Sequence, residues 1–221
     1  MGKTKDLVVN NDGTCTFTFK DDACGEDGVF NPGANEVGLK IDGMGRASLL
    51  LTQHFFPILK AAGIPVHFIS ADVNKGTMIG QHLTILPVEF IWRSKAWGSF
   101  CKMYGVEQGL KLDGLVEATL KDDSLGDPRI NKEACIAIGK LSEEQYDACD
   151  KYTRLIGTIL YKEMEKYGYE LIDFKVEFGV NSKGELLLAD EMSGGIWRIL
   201  ENGKSVDPIA TAKKICGEYY K

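Results

Sequence analysis

The stretch that decides the reading is residues 170–191, ELIDFKVEFGVNSKGELLLADE. Side chains alternate across a strand, so Ile172, Phe174, Val176 and Phe178 share one face while Asp173, Lys175 and Glu177 share the other. Asn181-Ser182-Lys183-Gly184 is a turn signal and a second apolar run follows it, which predicts an antiparallel hairpin of 170–180 and 185–191. With those four residues as the loop, Val180 pairs with Glu185, Lys175 with Asp190 and Glu177 with Leu188. Glu177 and Asp190 then become diagonal neighbours, roughly 7–8 Å apart at the backbone. Two carboxylates so placed can share a cation. Magnesium suits them, because it takes one or two carboxylates and completes its shell with phosphate oxygens and water. The plainer alternative is a solvated face carrying a Lys175–Asp190 cross-strand pair, and spacing alone favours it.

Outward from the hairpin, the chain mixes strands and helices. Residues 6–10 and 14–20 flank the turn signal Asn11-Asp12-Gly13 and read as strands. A Gly/Asp/Asn-rich loop fills 20–45. Helical spacing of Leu50, Phe55, Ile58 and Leu59 predicts a helix over 46–62, closed by Gly63 and Pro65. Strands follow over 66–70 and 82–93, with Pro87 marking an edge or a bulge. Ser142-Glu143-Glu144-Gln145 is a capping-box pattern that opens a long amphipathic helix ending at Gly168. Asp207-Pro208 opens a last helix, with Asp207 as its N-cap. Strands around two helical stretches read as an α+β fold.

Composition narrows the function. The 221 residues carry 26 Lys and Arg against 32 Asp and Glu, a net charge of −6, which argues against a dedicated nucleic-acid binder. No run is apolar enough to cross a membrane, and the polar start MGKTKDLVV does not read as a signal peptide. The 6 cysteines are scattered without a C-x-x-C pair, so reduced thiols in a cytoplasmic protein are expected. His54, His67 and His82 lie near no cysteine in sequence, so zinc is not expected.

Two further segments carry chemistry. Lys3 and Lys5, within Gly2-Lys3-Thr4-Lys5, and the later Gly25-Glu26-Asp27-Gly28 could cover phosphates with backbone N–H groups and positive charge. Arg93-Ser94-Lys95-Ala96-Trp97-Gly98-Ser99 offers a guanidinium, hydroxyls and a pliable backbone that suit a phosphate monoester. Solvated lysines and a basic turn are the plain alternatives.

Taken together, these segments resemble the phosphoribosylaminoimidazole-succinocarboxamide synthase (SAICAR synthetase) family of purine biosynthesis. The resemblance runs in order over nearly the whole chain: GKTKD at 2–6, FKDDA at 19–23, AAGIPVHFI at 61–69, LPVEFIWRSKAWGSF at 86–100, LKDDSLGDPRIN at 120–131, LIDFKVEFG at 171–179, LLADEMS at 187–193, then Arg198. It implies a two-lobed, kinase- or ATP-grasp-like fold with antiparallel sheets and an ATP cleft between the lobes, here 1–88 and 89–221. It implies an enzyme that uses ATP to join a carboxylate to the amine of aspartate through an acyl-phosphate. By the same resemblance Lys3 and Lys5 hold ATP phosphates, the strand end at Glu89 meets the adenine, and Lys121 lies near the nucleotide. Glu177 and Asp190 hold Mg2+, and they and Lys175 form the catalytic group. Arg93, Ser99 and Arg198 grip the ribotide phosphate, and Asp127 with Lys175 faces the imidazole. Small-molecule substrates are implied, without nucleic acid or membrane, and a homo-oligomer is left open.

The chain also departs from the family pattern. Where the family reads DE-x-SPD, this sequence has Asp190-Glu191-Met192-Ser193-Gly194-Gly195, so the acid expected at 195 is absent. A Lys-Gly pair before the first long helix is Met44-Gly45 here, and Asp207-Pro208 replaces an Asp-Lys pair. Alternatives therefore stay open: a diverged paralogue ligating another acid and amine, or a non-catalytic nucleotide-binding protein.

Overall fold

A computed structural model of the chain describes residues 4–26, 29–30 and 37–217. The turn signal at Asn11-Asp12-Gly13 closes a hairpin of β1 (Lys5–Val9) and β2 (Thr14–Phe19), with Val9 opposite Cys15. Strands β3 (Asp22–Glu26), β4 (Val29–Phe30) and β5 (Val37–Lys40) then pair among themselves inside the segment expected to be a loop. Helix α1 (Met44–Ala61) starts two residues before the apolar spacing predicts and buries Leu50, Leu51, Phe55, Phe56 and Leu59. Strands β6 (Phe68–Asp72) and β7 (Thr77–Gln81) complete a sheet in the order β1-β2-β7-β6.

The second half builds around β8 (Thr84–Lys95), which is followed by the short helix α2 (Ser99–Tyr104), β9 (Lys111–Leu120), α3 (Lys132–Ala137) and α4 (Glu143–Glu165). The remaining elements are β10 (Glu170–Val180), β11 (Leu186–Leu188), β12 (Trp197–Glu201), β13 (Lys204–Ser205) and α5 (Pro208–Ile215). The sheet order is β13-β12-β10-β8-β9, and β11 pairs with the far end of β10. Both predicted caps form. Ser142 and Gln145 make the reciprocal capping box of α4, and the Asp207 side chain accepts from Ala210 N at the start of α5. Pro87 sits where the β8–β10 register shifts, so the bulge absorbs its missing N–H. The fold is α+β, as the sequence predicts.

The apolar side of this sheet packs on α4. Val88, Phe90, Trp92, Ala118, Phe174, Val176 and Phe178 meet Cys149, Ile156, Leu160 and Met164 in one core. Each large side chain so buried is worth about 1.5–3 kcal/mol. That burial decides which way the sheet faces, and by alternation sends the charged residues to the other side.

The hairpin register differs from the sequence expectation by one residue. Phe178 faces Leu188 and Val180 faces Leu186, so Glu177 is opposite Ala189 rather than Leu188. The cause lies in the turn. Gly184 takes φ +80° and donates to Asn181 O at 3.0 Å, while Asn181 Oδ1 accepts from the Lys183 and Glu185 N–H groups. A turn ending in a left-handed glycine, with Asn181 paired to Glu185, makes a three-residue loop, where four residues had been counted. A slip of one exchanges the faces of a strand. Continued regularly, it would send Asp190 to the core. Instead β11 ends at Leu188 and Asp190 adopts φ +63°, which turns its carboxylate back towards the charged side. The expected proximity of Glu177 and Asp190 survives, but through a break in the strand and not through a diagonal pair.

Candidate active site

The register across β10, β8 and β9 lays the polar residues out in rows on the face away from α4. Glu177 lies opposite Glu89, and Glu89 opposite Thr119; Lys175 lies opposite Ile91, and Ile91 opposite Glu117. In a third row Asp173 faces Arg93, with Arg198 of β12 on its other side. A cleft of about 210 Å3 opens over these rows and is lined by Glu89, Arg93, Ser99, Asp127, Lys175 and Arg198, among others.

At one end, guanidiniums are held by buried carboxylates. Asp173 Oδ2 accepts from Arg93 Nη1 at 2.6 Å and from Arg198 Nη1 at 3.0 Å. Glu117 Oε2 lies 2.7 Å from Arg93 Nε and 2.7 Å from Arg129 Nη1. Burial pushes the Asp173 carboxyl above its usual range even with Arg198 and Arg93 beside it. Its carboxylate holds two guanidiniums side by side. Fixed arginines and the exposed Ser99 hydroxyl line the same cleft and suit an anion, since a planar guanidinium matches a phosphate bidentately.

At the other end, lysines and carboxylates alternate. Lys175 Nζ is 3.0 Å from Glu89 Oε1, and Lys121 pairs with both Glu89, at 3.5 Å, and Glu177. Lys5, brought in from β1, is 3.0 Å from Asp190 Oδ1 and also pairs with Glu191, which accepts from Ser193 Oγ. Burial and then the neighbouring Asp190 raise the Glu177 pKa. Burial acts on Asp190 in the same sense, but Lys5 leads the groups that overcome it and hold Asp190 below the usual carboxylate range. Behind Asp190, the ring Nε2 of buried His67 lies 2.9 Å from its main-chain oxygen and braces the left-handed turn. Among the described residues no three His, Cys, Asp or Glu side chains converge as a metal cage. Two carboxylates suit a magnesium ion that draws its other ligands from phosphate and water, so the donor set fits.

The structure thus gathers Lys5, Glu89, Lys121, Lys175, Glu177 and Asp190 into one cluster and places Arg93, Ser99, Asp127 and Arg198 along the cleft. Lys3 lies outside the described residues. Asp127 accepts from Asp122 N at 2.8 Å and stands in a loop tied to β9 by the Thr119–Arg129 bridge. Sequence reasoning passed over Glu117, Thr119, Arg129 and Glu191. The alternation in Val116-Glu117-Ala118-Thr119-Leu120 was the available signal for the first two; the other two stand inside the motifs LKDDSLGDPRIN and LLADEMS, which were read for their neighbours.

Two departures from the family pattern prove to be one packing event. A Cβ on Gly194 would come within 2.7 Å of Pro208 Cβ. Pro208 therefore fills the place that a side chain at 194 would take. At Gly195 a Cβ would meet Ser193 Oγ at 3.4 Å and Glu191 Oε1 at 3.7 Å, so a side chain there has room.

The family model for SAICAR synthetase matches residues 1–214. The chain belongs to the SAICAR synthetase family. Membership makes it an ATP-dependent, amide-forming ligase of purine biosynthesis. It is 44% identical over 219 residues to the phosphoribosylaminoimidazole-succinocarboxamide synthase of Clostridium tetani, covering 97% of this chain and 96% of that one. It is 38% identical over 221 residues to the corresponding synthase of Deinococcus radiodurans, covering 98% and 90%. Among solved structures, a SAICAR synthetase in complex with ADP superposes with a TM-score of 0.86 at 28% identity, covering 100% of this chain and 98% of the other. The Pyrococcus horikoshii SAICAR synthetase superposes at 0.85 with 27% identity, covering 98% and 99%. No helix among the described residues is long and apolar enough to cross a membrane.

Proposed function

We propose that this SAICAR synthetase joins the carboxylate of carboxyaminoimidazole ribotide to the amine of aspartate through an acyl-phosphate, at the expense of ATP. The observation that carries the proposal is the division of a single sheet face. Paired arginines stand at one end, and a lysine–carboxylate cluster stands at the other, four residues along β8 from Arg93 to Glu89.

In this reading Arg93, Ser99 and Arg198 hold the ribotide phosphate, and Lys175 and Asp127 face the imidazole acid. Lys5, Lys121 and Lys3 take the nucleotide phosphates, and the strand at Glu89 meets the adenine. Glu177 and Asp190 are the residues that would hold Mg2+, which when bound supplies charge neutralisation on the phosphates. A carboxylate is a poor electrophile, and its approach to a γ-phosphoryl group brings two anions together. Lys175 and the neighbouring lysines offset that repulsion, and the cleft supplies position. The carboxylate oxygen forms the bond to phosphorus and ADP leaves; the amine then bonds to the acyl carbon, and phosphate leaves carrying the proton the amine gives up. Asp190, held below the ordinary range by Lys5, suits cation binding better than proton uptake from the amine.

The division into lobes 1–88 and 89–221 belongs to the same proposal, with the β1-β2-β7-β6 sheet in the first and the arginine end in the second. So do a cytoplasmic location and action on small-molecule substrates without nucleic-acid or membrane partners. The assay is ATP consumption across a panel of carboxylates and amines. Turnover with the imidazole acid plus aspartate, exceeding every other pair, is expected. A better turnover with another pair overturns the substrate assignment in favour of a diverged ligase, and no turnover with any pair favours a non-catalytic nucleotide binder.

A further inference from the structure

The middle row of the cleft floor is apolar where the rows on either side of it are charged. Along β8 the residues facing the cleft are Glu89, Ile91 and Arg93, and Ile91 lies opposite Lys175 of β10 on one side and Glu117 of β9 on the other. Beyond Lys175 comes Ile196, whose main-chain oxygen accepts from Lys175 N at 2.9 Å. Alternation points Ile91 away from its neighbours Phe90 and Trp92, which belong to the core under α4. Both isoleucines line the cleft and both are only half-buried, so apolar surface stays open among the charges. Such surface gains free energy when a ligand takes it out of water.

The spacing of the rows identifies the part of the substrate that would cover it. Ile91 is two residues from Arg93 and two from Glu89, roughly 7 Å from each at about 3.3 Å per residue. A ribotide held by its phosphate at Arg93 and Arg198 spans the first interval with its sugar. Its flat ring then comes down on the middle row, with the carboxylate directed on towards Lys175 and the lysine–carboxylate cluster. We propose that Ile91 and Ile196 form an apolar platform for the ring of the imidazole acid, one on each side of Lys175, and that this platform makes the site select a ring-bearing acid. A ring lying there also takes water away from the Lys175 stem. In the lower local dielectric the Lys175 ammonium acts more strongly on the carboxylate beside it. The inference rests on the ligase reading above and extends it from the two charged ends to the middle of the substrate.

The test is Ile91→Ala, with Ile91→Val as the variant that keeps the branched apolar shape. Alanine removes three side-chain carbons that are already partly covered in the free protein, so the KM for the imidazole acid is expected to rise roughly five- to tenfold, with the KM for ATP unmoved. Ile91→Val should stay within about twofold of wild type. Inorganic phosphate reaches only the arginine end, so the rise in melting temperature it gives, read for each protein over its own unliganded value, should be the same in Ile91→Ala as in wild type. An isoleucine that serves the fold alone would lower the unliganded melting temperature and leave the KM for the acid as it was, and that result overturns the platform. So does an Ile91→Ala protein in which the phosphate shift falls along with affinity for the acid, because the arginine end would then be disturbed and the ring would not be the group in contact. If wild-type protein turns over another acid in preference to the imidazole acid, the ligase reading itself falls and the platform with it.

Discussion

Asp173→Asn is the substitution that most directly probes how the arginine end is built. Asp173 accepts from Arg93 at 2.6 Å and from Arg198 at 3.0 Å, and its side chain is 7% exposed. Removing one partner of a buried ion pair costs about 3–5 kcal/mol, because a charge is left without compensation. Three features reduce that here. Arg93 keeps Glu117 at 2.7 Å, and burial already opposes the ionisation of Asp173. Asparagine also keeps an acceptor oxygen in place. A loss of about 2–3 kcal/mol is therefore expected, which for a chain of this size is a fall of about 5–10 °C in melting temperature. Inorganic phosphate can take the place of the lost carboxylate between the guanidiniums, so it should raise the melting temperature of the variant more than that of the wild type. The assay is thermal unfolding of both proteins with and without phosphate at constant ionic strength. If Asp173→Asn melts with the wild type, and phosphate moves both equally, then Asp173 does not hold the two arginines and the reasoning is refuted.

Further outcomes follow from other contacts. Arg198→Ala should raise the KM for the imidazole acid by the equivalent of about 1.5–3 kcal/mol while leaving ATP affinity alone, since its guanidinium is placed at the arginine end; steady-state kinetics decide it, and an unchanged KM removes Arg198 from the phosphate grip. Glu177→Gln should abolish most turnover without destabilising the protein. The folded-state pKa of Glu177 is raised, so its ionisation costs stability, fully above that raised value and not at all below the ordinary glutamate range; the variant should gain relative stability as pH rises through that window, and pH-dependent melting curves with the opposite trend would contradict this. Gly194→Ala should destabilise by about 1–3 kcal/mol, because Pro208 occupies the space its Cβ needs, and denaturant unfolding at wild-type midpoint would show that the turn relaxes freely. Gly195→Asp, by contrast, has room and should fold normally, with aspartate-dependent turnover little changed; a marked loss of activity would show that the glycine shapes the substrate preference.

The sequence by itself determined whatever depends on neighbouring residues. Alternation in 170–180 separated the core side chains Phe174, Val176 and Phe178 from the charged Asp173, Lys175 and Glu177, because a strand has period two. Ser142 with Gln145, and Asp207 with Pro208, marked helix starts, because capping is satisfied within four residues. Pro87 marked the bulge. The family motifs, spread in order over the chain, carried the identity.

Tertiary structure decided the partners. A left-handed Gly184 shortened the hairpin loop and moved the register by one, which the four turn residues alone left ambiguous. Asp190 regained the charged side only because the strand breaks there, braced by His67 from another element. Lys5 meets Glu191 across 186 residues of chain, and Arg129 reaches Glu117 because a loop bridges onto β9. Which charges pair, and which carboxylate is raised and which lowered, follow from desolvation by distant segments. Those terms exist only once the chain has closed on itself.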